Sequence, residues 1–474
     1  MIASLAAVSL AAAVGSPAAS VPDPEPASSR TAAVASWERL RFGMFIHWGM
    51  ATFTGDELGR GANPIGAYQP TSLDVDQWVR VARSAGMRYA VLTTKHCTGH
   101  CLWPSAHSDY TVAQSAVTTD VVGAFVTACR RHNVAPGFYY LLGWDAHHQP
   151  KMDPATYERF CTAQIEELLT RHGPIAELWL DIPFDMGPDT AGALQRLYVH
   201  AKRLQPRCMV MLNQGFTDGT AISRIAPSYY WQPAGGDPVP MWPRDLIGGE
   251  RTLPPPGGHN PWMDHNGKRY YIPMEVCDTL GRSWFWMPED ALRSPEALYR
   301  LYRNTIDRGA SLLLDVAPDR TGRLPVGTVQ RLQELGRLIR SGKPPAASLA
   351  AGRPARASNV YRNDERWGAA SALDEDAGTR WATDETVSEA WIEVDLGGPT
   401  TFRRAFVSEG WDRVRGFAIE VPDGNGGWRA VFTGGRIPRE GAICRFGSVT
   451  ASTVRLHILE APGGPTIWDF EVYP

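Results

Sequence analysis

The chain reads as an α/β protein, a (β/α)8 TIM-like barrel followed by a C-terminal β-sandwich of jelly-roll type. Three observations predict this. Its 474 residues exceed what a single hydrophobic core usually serves, so two or more domains are expected. Between Trp37 and Ser341, eight short apolar runs alternate with helical patterns, and such alternation builds a parallel sheet that eight units close into a barrel. After Gly342-Lys343-Pro344-Pro345 the pattern becomes short period-two segments broken by Gly, Pro and Asp, as in an antiparallel sandwich.

The eight strand candidates are Phe42 to Trp48, Tyr89 to Thr93, Ala135 to Leu141, Ile175 to Leu180, Cys208 to Leu212, Ser228 to Trp231, Tyr270 to Val276 and Ser311 to Val316. Helical periodicity runs over Leu73 to Ser84, Asp120 to Arg131, Pro154 to Arg171, Thr190 to Leu204, Pro295 to Arg308 and Val326 to Ile339. The first of these repeats apolar residues at Val75, Trp78, Val79 and Ala82, with Ser72 as its expected N-cap and Gly86 as its stop. An open doubly wound sheet is the alternative. It would want a Gly-rich phosphate turn after its first strand, and none follows Phe42 to Trp48. Gly235 to Gly267 is rich in Pro and Gly without periodicity and reads as a long loop over the barrel mouth.

Composition narrows the partners. A net charge of −3 with no basic stripe argues against nucleic acid. Seventeen Trp, 15 Tyr and 15 Phe form a high aromatic load, which suits stacking on sugar C–H faces and also the filling of large cores. Met1 to Ser20 is Ala-rich, too short for a membrane span, and ends in small residues, so it reads as a signal peptide for secretion. The expected organisation is a signal at 1–20, a Pro/Ser-rich linker at 21–35, the barrel at 36–341, a linker at 342–352 and the sandwich at 353–474. Seven scattered cysteines do not make a disulfide scaffold; an odd count leaves at least one thiol free, and most should be small buried hydrophobes.

Two runs carry the chemistry. Arg41-Phe42-Gly43-Met44-Phe45-Ile46-His47-Trp48-Gly49 and Glu177-Leu178-Trp179-Leu180-Asp181 are apolar strands that end in a polar group, and barrels place catalytic groups at such strand ends. From the residues alone, Asp181 is either such a group or the cap of the next helix. His96, Cys97, His100 and Cys101 raise the question of zinc, but four ligands within six residues do not readily close a tetrahedron, so no metal is assigned. A Cys97–Cys101 disulfide is the other option for that segment.

Taken together, several motifs resemble the α-L-fucosidases of glycoside hydrolase family 29. They are Phe42 to Gly49; Lys95-His96 with Gly99 and Cys101-Leu102-Trp103-Pro104-Ser105; Leu178 to Asp181; Met274-Glu275-Val276-Cys277-Asp278 with Trp284-Phe285-Trp286; and Ala310 to Asp315 with Pro318-Asp319. Ala372-Leu373-Asp374, Thr379-Arg380-Trp381 and Trp391 to Gly397 resemble a discoidin or coagulation-factor type C module, a sandwich often attached to glycosidases as a sugar binder. The resemblance implies retaining hydrolysis of a terminal α-L-fucose from a fucosylated glycan, with Asp181 as nucleophile. It implies Glu275 as the favoured acid/base, because that residue matches the family's Trp-Glu motif and is read as ending a strand. Glu250, in the loop where other members carry theirs, is the alternative. His47, Trp48, Lys95, His96, His100, Tyr140 and Trp144 are the implied sugar contacts.

The family's Lys-His-His-Asp-Gly-Phe run here reads Lys95-His96-Cys97-Thr98-Gly99-His100, which leaves open a fucose-like sugar such as α-L-galactose. A non-catalytic sugar-binding protein is the third reading. No cofactor is expected for the reaction, and the turn at Asp374 is either a calcium loop, as in some relatives of the module, or a plain surface turn.

Overall fold

Eight parallel strands close on themselves in the computed structural model, which describes residues 23–183, 185–213, 230–231, 239–240 and 242–474. They are β1 (Phe42–Ile46), β2 (Tyr89–Lys95), β3 (Ala135–Leu141), β4 (Glu177–Asp181), β5 (Met209–Leu212), β6 (Leu246–Glu250), β7 (Met274–Thr279) and β8 (Ser311–Asp315). The ring is sealed where β1 pairs with β8, from Phe42 opposite Leu312 to Phe45 opposite Asp315, and with β2 on its other edge. The six expected helices are present as Val75–Ala85, Val121–His132, Pro154–Arg171, Thr190–Leu204, Pro295–Ile306 and Val326–Ser341. The first starts two residues later than its expected cap. Asp74, not Ser72, accepts the Gln77 N–H, and Gly86 ends the helix at φ +96°.

The sixth strand corrects the sequence reading. Ser228 to Trp231 is not a barrel strand: Tyr230–Trp231 pairs with Val239–Pro240 in a separate hairpin, and Ser228 and Tyr229 lie outside the described residues. The true β6 lies inside the stretch read as a loop, where Gly248 and Gly249 mask it by lowering β-propensity. A Cβ on Gly249 would stand 2.6 Å from the Met274 methyl and 2.7 Å from the Thr252 carbonyl oxygen, so packing across the barrel wall demands the residue that hides the strand. The seventh strand is displaced too. Lys268–Tyr271 belongs to a hairpin with Trp262–His265, and β7 begins only at Met274. At the other end, the helix Ala32–Glu38, capped by Thr31, begins inside the stretch read as a linker. The proposed signal lies outside the described residues. Among the described residues no helix is long and apolar enough to cross a membrane.

Alternation along the strands sorts side chains into two cores. Phe45, Tyr89, Val91, Tyr139, Trp179, Cys277 and Leu313 fill the barrel interior, while Met44, Ile46, Leu92, Phe138, Tyr140, Leu178 and Leu314 pack outward under the helices. All seven cysteines are buried free thiols, so the Cys97–Cys101 disulfide is not formed.

The C-terminal domain is a seven-stranded antiparallel assembly dominated by two long bent strands, Ala390–Glu409 and Ala442–Glu460. Register shifts between Asp395 and Thr400 and between Phe402 and Arg404 let these strands turn around a core of Trp381, Ile392, Phe402, Phe417 and Leu456. Charged residues join it to the barrel. Arg404 donates to Glu296 at 2.6 Å, Arg331 to the Glu440 carbonyl at 2.6 Å, and Arg282 to the Ala377 carbonyl at 2.6 Å and to Asp469. Arg300 lies 3.1 Å from Glu375, so the acidic turn after Asp374 faces this seam.

Because Glu296 and most of Arg404 are buried, Glu296→Ala should destabilise the chain by about 3 kcal/mol in urea unfolding. Asp364→Ala breaks an ion pair whose Arg366 partner is 80% exposed, and it should leave the midpoint unchanged.

Candidate active site

Three strand ends converge at the C-terminal mouth of the barrel. Asp181 ends β4, Glu250 ends β6, and Asn213 follows β5 directly between them. The Asn213 amide nitrogen donates to Asp181 Oδ1 at 2.7 Å and to Glu250 Oε2 at 3.0 Å, so one side chain ties the two carboxylates together. Tyr139 OH donates to the other Asp181 oxygen at 2.6 Å. Burial pushes the Glu250 carboxyl up to about 7, and the nearby Asp181 charge adds to the shift. The site therefore holds one carboxyl bonded by two neutral donors and, beside it, a second that keeps its proton near neutrality.

His47 and His96 complete the wall. His47 Nδ1 shares a 2.7 Å hydrogen bond with Asp315 Oδ1, and its ring lies 5.1 Å from Trp284 and 5.6 Å from His96. His96 stacks on Tyr139 with centroids 5.4 Å apart, and its Nδ1 bonds the Glu57 carbonyl at 3.2 Å. Burial holds both imidazoles down to about 3, so they face the pocket as neutral rings able to donate or accept. Glu57 belongs here as well. Burial pushes it up to about 7, with Asp315 and Asp181 contributing, while the Arg251 charge opposes the shift. Arg251 sits over the Trp284 ring at 5.2 Å and donates to the Arg282 carbonyl at 2.6 Å.

Glu275 does not join this group. It is the second residue of β7 rather than its end, two positions before the inward Cys277, and therefore sits lower in the barrel. There it is fully buried, accepting from Tyr89 OH at 2.5 Å and Trp179 Nε1 at 2.7 Å, next to the buried Glu177. The misplaced strand start caused the error, since a shift along the strand changes the layer a residue occupies.

Trp48 is likewise no sugar contact. It follows the inward His47 and so points outward, 1% exposed, against Tyr68 and Trp78. Tyr140 has the same parity. It is fully buried and donates to Gln164 at 2.8 Å, while its neighbour Tyr139 faces the mouth. Lys95 would point inward by simple alternation, but a register irregularity between Thr93 and Lys95 turns it out. It becomes a buried cation held by Asp145 at 2.8 Å and Tyr140 at 3.0 Å. His100 is 2% exposed and bonded to Ser115 at 2.9 Å behind the wall. Trp144 lies on the loop after β3, 47% exposed, at φ +59°.

Sequence reasoning missed Tyr139, Asn213 and Glu57. Asn213 obeys the rule that singled out Asp181, an apolar strand ending in a polar group, because it follows Met209–Leu212 directly, whereas Tyr139 lies two residues before the end of β3 and only its inward parity marks it. Glu57 lies in a connecting loop, where no periodicity marks it.

Comparison with known proteins bears on this arrangement. The family model for alpha-L-fucosidase matches residues 62–342, and a model described as a NedA-like, galactose-binding domain matches residues 371–456. The chain is 27% identical over 447 residues to alpha-L-fucosidase 1 of Arabidopsis thaliana, spanning 91% of this chain and 84% of that protein. A homologous protein of Oryza sativa subsp. japonica is also 27% identical, over 92% of this chain and 83% of its own length. Among solved structures, a glycoside hydrolase 29 family member from an unknown rumen bacterium shares the fold at a TM-score of 0.54, with 24% identity over 95% of this chain and 77% of that one. A Ruminococcus gnavus GH29 fucosidase, solved in complex with fucose, does so at a TM-score of 0.50, with 20% identity over 96% of this chain and 97% of its own. The first of these matches spans more than half of the chain, over the barrel whose strand ends carry the paired carboxylates, and the chain belongs to the alpha-L-fucosidase family of glycoside hydrolases.

Proposed function

We propose that the chain is an exo-acting, retaining α-L-fucosidase in which Asp181 is the nucleophile and Glu250 the acid/base. The observation that carries this reading is the shared Asn213 amide. A single nitrogen bonded at 2.7 and 3.0 Å to one oxygen of each carboxyl keeps the pair closer than the roughly 6.5 Å minimum of inverting enzymes and suits the roughly 5 to 5.5 Å of retaining ones. Asp181 attacks the anomeric carbon while the Glu250 proton passes to the departing glycosidic oxygen, so one C–O bond forms as another breaks. Glu250, now a carboxylate, takes a proton from water; the water oxygen attacks the same carbon, and Asp181 is released. The donors from Tyr139 and Asn213 hold Asp181 in position through both steps.

The sugar specificity rests on the wall. Trp284, Phe285 and Tyr139 surround the two histidines with aromatic surface, which favours a deoxy sugar with a methyl group over one with an extra hydroxyl. An aryl α-L-galactoside should accordingly be turned over more slowly than the fucoside, by roughly 10- to 100-fold, since an apolar wall rejects an added hydroxyl only weakly. Equal or faster hydrolysis of the galactoside would move the assignment to that sugar. The same reading takes Met1 to Ser20 as an export signal.

Three further outcomes follow from the carboxyl roles. Asp181→Gly should abolish turnover of an aryl fucoside, with partial rescue by azide that yields the inverted glycosyl azide; wild-type turnover in that variant would remove Asp181 as nucleophile. Glu250→Gln should slow hydrolysis of an unactivated fucoside by about 100- to 10,000-fold and that of a dinitrophenyl fucoside far less, whereas Glu275→Gln should show no such dependence on the leaving group. A carboxyl raised to about 7 is protonated below that pH and ionised above it. Turnover of unactivated substrates should therefore fall as pH rises through about 7, and a profile flat to pH 9 would exclude Glu250 as the acid.

A further inference from the structure

The C-terminal domain carries a cluster that its own fold does not explain. Arg380 lies within 4.2 Å of the Trp367 ring centroid, 4.9 Å of Trp468 and 5.0 Å of Trp411, so its guanidinium is enclosed by three indoles. Trp411 and Trp468 stack with centroids 6.0 Å apart and planes 27° apart, and Arg413 lies 5.6 Å from Trp411. Neither Arg380 nor Arg413 has a carboxylate partner among the described residues. Arg380 makes no hydrogen bond there, its Nε being buried and unsatisfied, while Arg413 donates only to the Gly464 carbonyl, at 2.7 Å.

The acidic groups near this cluster are already engaged. Asp412 is gripped by Arg436, Asp469 by Arg282 and Ser408, and Glu409 accepts the backbone N–H groups of Arg413 and Val414. Each guanidinium therefore lacks a counter-charge, and the proximity of Arg413 adds to burial in disfavouring the charge on Arg380. Trp411 nevertheless stays 43% exposed, presented by a loop in which it and Asp412 both adopt left-handed backbone, at φ +69° and +53°.

We propose that Trp411, Arg380 and Arg413 form a binding site for a carboxylate-bearing sugar, separate from the catalytic pocket. The open indole surface takes the C–H face of a pyranose ring, and the two guanidiniums supply the charge-assisted hydrogen bonds that its carboxylate needs. Arginine suits this role because its planar fork matches a carboxylate and stacks on indole at the same time. The site borders the barrel. Arg282, whose guanidinium lies 5.0 Å from the Trp468 ring, also accepts at its carbonyl from Arg251, the residue next to Glu250. An acidic glycan held here would thus lie on the side of the domain that faces the catalytic mouth.

The test compares methyl β-D-glucuronide with methyl β-D-glucoside, which share a ring and differ in the carboxylate, by tryptophan fluorescence and ligand-observed NMR on the full chain. The glucuronide should bind at least about tenfold more tightly, lose that advantage at high salt, and lose about tenfold in affinity in both Trp411→Ala and Arg413→Gln. Equal affinity for the two sugars, binding of neither, or unchanged glucuronide binding in both variants would overturn the proposal. Trp411 is exposed and Arg413 half-buried, and a far-UV spectrum with thermal midpoint checks that each variant folds. Binding is read without turnover, so this outcome stands apart from the roles of Asp181 and Glu250.

Discussion

The inward or outward facing of each barrel side chain is the constraint on which the rest of the molecule depends. Sealing β1 against β8 locks the register of the ring, and that register decides which residues reach the mouth. His47 enters the pocket and Trp48 leaves it; Tyr139 bonds Asp181 while Tyr140 is buried under a helix. One step along the chain thus separates a mouth-facing group from a packing group. The single irregularity in β2 shows how strong the rule is, since one shift after Thr93 carries Lys95 out of the barrel and into an ion pair with Asp145.

Burial then does the electrostatic work. The barrel interior holds two levels of carboxyl groups with different surroundings. Low in the barrel, Glu177 and Glu275 are fully buried, with Trp37 donating to Glu177 and Tyr89 and Trp179 donating to Glu275. At the mouth, Glu250 and Glu57 are raised towards neutrality but remain partly exposed, while Asp181 receives two hydrogen bonds from neutral donors. The same residue type is thereby enclosed at one level and open to the mouth at the next, and the two levels differ in access rather than in acidity alone. The seam with the C-terminal domain extends this theme, because arginines of one domain meet carboxylates of the other in partly buried pairs. Such contacts specify one docking geometry, and mismatched charges there would be costly.

Much of this was legible from the chain. Seven of the eight barrel strands and all six helices stand where apolar runs and helical periodicity predicted them, though some ends moved by several residues. Asp181, His47 and His96 reach the mouth as expected. The failures share a cause. β6 was unreadable because its glycines, required by the contact with Met274, erase the propensity signal that marks a strand. The same stretch hid the hairpin that displaced β7, and with it went the placement of Glu275. Glu57 had no local signature, since a loop residue owes its position to what the loop packs against.

By itself, the sequence determined the architecture and the place of Asp181 at the barrel mouth. Period and length are properties of contiguous residues, and a polar group ending an apolar strand lands at the barrel rim however the neighbours pack. Only the tertiary structure decided which carboxyl stands beside Asp181. Choosing between Glu250 and Glu275 required knowing which level of the barrel each occupies, and level depends on strand starts that are set by pairing with β5 and β8 rather than by local preference. The Trp411 cluster is tertiary in the same sense. Its indoles and guanidiniums come from segments far apart in the chain, and only the folded C-terminal domain brings them into contact.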